Sequence, residues 1–98
     1  MKRPIRFLPE AKAEFDEAAD RYEWHQSGLG VEFVRRVRAV LVRVAANPRF
    51  YATVYQDVRK AAIKRFPFVV LYREELGEVL VISVFHTSRD TSVWQSRA

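Results

Sequence analysis

Apolar and polar positions change rhythm along this chain, and each change marks a different kind of element. Arg3 to Leu8 suits a short first strand. Pro9 follows at what would be the first helical position, where its missing N–H is harmless. Ala11, Phe15, Ala18 and Tyr22 then recur at helical spacing and form one stripe. Glu10, Glu14, Asp16, Glu17, Asp20 and Glu23 occupy the other faces, and acids in the first turns favour the positive end of the helix dipole. Ser27, Gly28 and Gly30 interrupt the pattern, so a second helix from about Val31 is expected to fold back as a hairpin. Phe33, Val34, Val37, Val40, Leu41 and Val44 share one side of it, while Arg35, Arg36 and Arg43 project from the other. Glu32 stands four residues before Arg36, the favourable order for an ion pair, and Asn47-Pro48 ends the helix.

After Pro48 the helical period disappears. Residues 49–57 read as an aromatic loop carrying Phe50, Tyr51 and Tyr55. Three strand-like runs follow, Val58 to Phe66, Phe68 to Arg73 and Val79 to Phe85. The first two bend at Pro67, and the second pair turns through the five residues Glu74 to Glu78, which include Gly77. The run VLVISVF is almost continuously apolar and predicts a central strand buried on both faces. The expected architecture is α+β, in the order strand-helix-helix-strand-strand-strand. A helical hairpin would cover one face of an antiparallel sheet and leave the other face open to a partner.

A chain of 98 residues, 49% of them apolar, is one domain spanning 1–98. It has no cysteine, which excludes disulfides, zinc-thiolate sites and thiol redox chemistry within this chain. No stretch approaches the roughly 20 apolar residues of a membrane span, and the first residues lack a signal-peptide core, so a cytoplasmic protein is expected. Charge changes the picture more. Residues 1–34 hold five Lys/Arg against seven Asp/Glu (−2), residues 35–65 nine against one (+8), and residues 66–98 three against four (−1), giving the net +5. The basic middle third points to an anionic partner, nucleic acid or an acidic protein segment, unless it is a solvated helix face.

Candidate chemistry concentrates at the end of the last strand, in Phe85-His86-Thr87-Ser88-Arg89-Asp90. His86 has the right chemistry for proton transfer and Arg89 for holding a phosphate or carboxylate. The plainer alternative is that His86 bonds to backbone and Arg89 pairs with Asp90 or Asp57. Arg59, Lys60, Lys64 and Arg65 would alternate along a strand, binding a ligand or guarding an edge. Trp94 is either a clasp for the tail or an exposed anchor. Trp24 falls opposite the apolar stripe of its helix and is a candidate interface residue. No metal-ligand spacing, P-loop, dinucleotide fingerprint or nucleophile elbow is present, so neither a metal nor a cofactor nor a small-molecule substrate is expected.

The order of elements, with Lys64-Arg65-Phe66-Pro67-Phe68-Val69-Val70-Leu71-Tyr72-Arg73, then Phe85-His86-Thr87-Ser88-Arg89-Asp90 and Trp94, resembles the RelE/ParE toxin superfamily over the whole chain. In the RelE branch, ribosome-dependent messenger-RNA endonucleases, a basic cluster on the sheet acts with a C-terminal Tyr or His. One of its arginines follows the aromatic residue that here is Phe68, but this chain has Val69 there. An arginine on a scissile phosphate supplies about 3 kcal/mol or more of charge stabilisation, so a nuclease built on His86 and Arg89 would be incomplete. The resemblance therefore implies the ParE branch: no catalytic residues, DNA gyrase as target, and neutralisation by a ParD-like antitoxin in a heteromeric complex. Arg89 and Trp94 carry over by motif as target-binding residues, joined by charge by Arg59, Lys64 and Arg65. Arg35, Arg36, Arg43 and Trp24 are the expected antitoxin-binding residues, since antitoxin tails are often acidic.

Overall fold

The computed structural model describes residues 2–98. Its elements are β1 (Ile5–Phe7), α1 (Pro9–His25), α2 (Leu29–Ala46), a 3-10 turn (Pro48–Phe50), β2 (Thr53–Tyr55), β3 (Val58–Ala62), β4 (Phe68–Glu75), β5 (Glu78–His86) and a short α3 (Ser92–Gln95). The five strands form one sheet in the order β1-β5-β4-β3-β2. It is not purely antiparallel, because β1 pairs with β5 in parallel. That parallel pair needs a long crossover, and the α1-α2 hairpin begins it by laying both helices on one sheet face.

Three further expectations change. The segment 49–57 is not all loop: Thr53 to Tyr55 pair with β3 across the two-residue turn Gln56-Asp57 and become the sheet's edge. Strand β3 stops at Ala62 rather than Phe66, because the chain turns at Lys64-Arg65, with Arg65 at φ 74°. The expected five-residue connection before β5 shortens to Leu76-Gly77. Both have positive φ, as a tight hairpin of right-handed twist requires.

The sheet separates two apolar clusters. On the helix side, Ala11, Phe15 and Ala18 of α1 and Phe33, Val37, Val40 and Val44 of α2 meet Phe68, Val70 and Tyr72 of β4 and Val79, Val81 and Val84 of β5. On the other side, Val58, Val69, Leu71, Ile82 and Phe85 are covered by Trp94, so that face is closed in part by the C-terminal tail instead of standing open. Tyr72 is fully buried and its hydroxyl donates to the carbonyl of Pro48 at 2.6 Å. Burial pushes that phenol up to about 12.

The helical hairpin is closed by Gly30, which lies against the backbone of α1. A Cβ there would stand 2.4 Å from the Ala19 carbonyl oxygen and 2.8 Å from Glu23 Cβ. The Glu23 carboxylate accepts the N–H groups of Gly28 (2.8 Å) and Gly30 (3.0 Å), and the Gly28 bond above all holds its pKa below the usual carboxylate range. Gly30→Ala is expected to force the helices apart and lose about 1–3 kcal/mol, read as a lower urea midpoint at unchanged slope. An unchanged midpoint would show that the hairpin can widen freely.

Candidate functional site

Strand β5 carries a bulge that decides what its far end can do. Leu71 pairs with Ser83 but Tyr72 pairs with Val81, so β5 holds one residue more than β4 at Ile82-Ser83. Before the bulge Val79 and Val81 face the helices; after it Val84 does, while Ile82 and Phe85 face the tail. An unbulged strand would have kept odd-numbered residues toward the helices and turned His86 to the opposite face. The extra residue aims His86 into a cleft of about 290 Å³ between α1 and the end of β5, lined by Glu14, Glu17, Arg21, Phe68, His86 and Arg89 among others.

Pairing between β1 and β5 ends at Val81, whose carbonyl accepts the Leu8 N–H at 3.0 Å. Beyond that point side chains take over the strand edge. Glu14 reaches from α1 and its Oε1 accepts from Ser83 Oγ (2.7 Å) and the Val84 N–H (3.3 Å). Arg97 from the tail grips the same carboxylate with both terminal nitrogens, at 2.9 and 3.1 Å, and donates to the Ile82 carbonyl at 3.1 Å. Arg89 adds a contact to Glu14 Oε2 at 3.2 Å, and its guanidinium lies 5.2 Å from the centre of the Phe85 ring. The bulge's loose backbone groups are thereby satisfied by one carboxylate and one guanidinium.

His86 is held locally. Its Nδ1 accepts the Ser88 N–H at 3.0 Å and sits 2.7 Å from Ser88 Oγ, so in the neutral ring the proton is on Nε2. Its ring stands edge-on to Phe68 at 5.1 Å. Arg89 pairs with Glu14, and not with Asp90 or Asp57. Asp90 instead accepts the Ser92 N–H at the start of α3, which lowers its pKa.

The five target-facing candidates divide. Lys64 and Arg65 are exposed in the β3-β4 turn, and this turn is joined to the end of β5 by the Thr87 N–H donating to the Pro67 carbonyl at 2.9 Å. They therefore share one end of the sheet with His86 and Arg89. Arg59 lies at the other end of β3, half-buried, donating to the carbonyls of Tyr51 (2.6 Å) and Arg49 (3.4 Å). Trp94 is only 5% exposed and meets Tyr55 edge-on at 5.7 Å, so it is a clasp and not an exposed anchor.

Among the residues assigned to an antitoxin, Trp24 is 92% exposed at the end of α1. Arg35 and Arg36 both pair with Glu32, at 2.7 Å each, and the Arg36 bond above all lowers the Glu32 pKa. Arg43 is exposed near the end of α2. Among the described residues Arg38, Arg43, Lys60, Lys64 and Arg65 form no ion pair, so part of the middle third's charge is available to a partner. Glu14 was missed as a site residue, because in the sequence it is one acid among many on the polar side of α1.

A sequence profile for the ParE toxin of type II toxin-antitoxin systems, parDE, matches residues 5–91. The chain belongs to the ParE toxin family. Its fold is also similar to a chain of the chromosomal ParDE toxin-antitoxin system from P. aeruginosa, with a TM-score of 0.77 at 15% identity, covering 89% of this chain and 98% of that one. No curated relative matches in sequence. The matched residues span the helical hairpin, the sheet and the histidine-arginine segment at its end. No helix among the described residues is long and apolar enough to cross a membrane.

Proposed function

We propose that this ParE-family chain is a binding poison of DNA gyrase, neutralised by a ParD-like antitoxin in a heteromeric cytoplasmic complex. The observation that carries this reading is Val69. At the position where the nuclease branch places an arginine, this chain has a valine packed under Trp94 with Leu71, Ile82 and Phe85. Val69 itself offers a phosphate no charge. The recognition surface is the end of the sheet bearing Lys64, Arg65 and Arg89, with Trp94 fastening the tail beneath it. Arg59, bound to backbone carbonyls at the opposite end, serves the fold instead.

The antitoxin's place on this reading is the outer side of the helical hairpin. Two shallow apolar patches lie there, one around Ala19, Val31 and Val34, the other around Ile5, Leu41, Val42 and Ala45. Arg35, Arg38 and Arg43 are exposed on the same helix, and Trp24 marks its turn. An acidic amphipathic segment matches that combination, its apolar face on the patches and its acids toward the arginines.

Expression of the chain alone in a bacterial host tests the gyrase reading. Arrested growth, a DNA damage response, intact transcripts and gyrase-dependent cleaved DNA are the expected results, with His86→Ala leaving them unchanged. Cleaved transcripts on undamaged DNA, lost in His86→Ala, would replace this reading with a ribonuclease. Unimpaired growth would leave only antitoxin binding.

A further inference from the structure

The carboxylate of Glu14 collects donors from three separate parts of the chain. Ser83 Oγ and the Val84 N–H come from β5, the Arg97 fork from the tail, and Arg89 from the segment between them. The Glu14 side chain is 12% exposed and Arg97 14%, whereas Arg89 keeps 47% of its surface open. One arginine is thus consumed in the latch, and the other is held along one edge while its remaining donors stay free. Arg89 is also restrained by the Phe85 ring beneath it. A guanidinium fixed at two points before binding loses less rotamer freedom on meeting a partner than a free one does.

We propose that Glu14 is a positioning residue: from α1 it aims Arg89 and fastens the C-terminal tail through Arg97, so that recognition by the end of β5 depends on a residue outside the recognising segment. This deepens the function proposed above and rests on it for the identity of the target. The geometry itself is a property of the free chain.

The test compares the full-length protein with Glu14→Gln, Arg89→Gln and the double variant. Glutamine keeps the side-chain length and an oxygen for Ser83, Val84 and one Arg97 nitrogen, but its amide NH2 replaces Oε2 and opposes Arg89 and the second Arg97 donor, and its charge is gone. In Glu14→Gln, the Nη–H resonances of Arg89 and Arg97, whose protons make these bonds, are expected to collapse toward the free-arginine position. Amides of residues 92–98 should exchange about tenfold faster while those of β4 and β5 keep their protection. With gyrase holoenzyme as probe, inhibition should weaken about tenfold in each single variant and no further in the double, since both changes remove the same aimed group.

Unchanged arginine resonances in Glu14→Gln overturn the proposal, and so do effects on gyrase that multiply in the double variant. If Glu14→Gln does not fold, Arg97→Lys keeps the charge without the fork. It should speed exchange at residues 92–98, and unchanged exchange there overturns the latch. A wild-type chain that leaves gyrase unaffected removes the target reading, while the resonances and exchange rates still decide the role of Glu14.

Discussion

Phe33→Ala is expected to lower the unfolding free energy by about 3–5 kcal/mol, the usual range for deleting a fully enclosed aromatic ring. Phe33 has no exposed surface and sits among Phe15, Tyr22, Phe66 and Phe68, at centroid distances of 6.0, 5.2, 5.1 and 5.0 Å. These four rings come from α1, from the turn after β3 and from β4, so the neighbours cannot collapse into the space without moving separate elements. A domain of this size has about 5–15 kcal/mol in total, so the variant should lie near the edge of folding. Phe68 also abuts His86, and the loss should therefore loosen the end of the sheet that carries the candidate recognition residues. Chemical denaturation followed by circular dichroism measures the effect. A loss below about 1 kcal/mol would mean that α2 rests on the sheet chiefly through Val37, Val40 and Val44.

Much of this packing was legible before any coordinates. The four-three-four spacing of Ala11, Phe15, Ala18 and Tyr22 and the apolar side of α2 identify the helix-sheet interface, because a helix's 3.6-residue period leaves few other arrangements. The exposure of Trp24 followed from the same wheel. The Glu32-Arg36 pair was readable for the same reason, being local. What escaped was non-local or set by one residue of register. Nothing near Ile5 to Phe7 says that this strand pairs in parallel with Val79 to Val81, more than seventy residues away. Strand β2 is three residues long and half exposed, too short for alternation to be visible.

The site was legible as a segment but not as a constellation. His86 and Arg89 stand out by residue type and by their place after a buried strand. Which face they occupy depends on the bulge at Ile82-Ser83, and a continuous apolar run such as VLVISVF hides any change of phase. Glu14 was hidden differently. Its partners lie 69 to 83 positions away, so its pattern in the sequence is that of a solvated acid. A serine in the middle of an otherwise apolar buried strand was the one available signal, because a fully buried hydroxyl demands a partner.

Trp94→Ala should remove a comparable about 3–5 kcal/mol, and it also separates two meanings of that residue. The indole lies against the cluster of Val58, Val69, Leu71, Ile82 and Phe85 and against Tyr55, the half-buried ring that packs on the same cluster. Its loss exposes apolar surface on β4 and β5 and leaves the tail tied to the body by Arg97 and the partly buried Val93 and Ala98. For a chain of about a hundred residues each kcal/mol is worth about 4–8 °C, so the melting temperature should fall by more than about 10 °C in the free protein. Trp94→Phe keeps most of the packing and should retain most of the stability together with the gyrase inhibition proposed above. A tryptophan acting as a surface anchor would behave in the opposite way, since Trp94→Ala would abolish inhibition with little change in melting. The free chain's melting temperature is the deciding quantity because it needs no partner: a large fall assigns Trp94 to the fold, and any loss of gyrase inhibition then follows from a released tail.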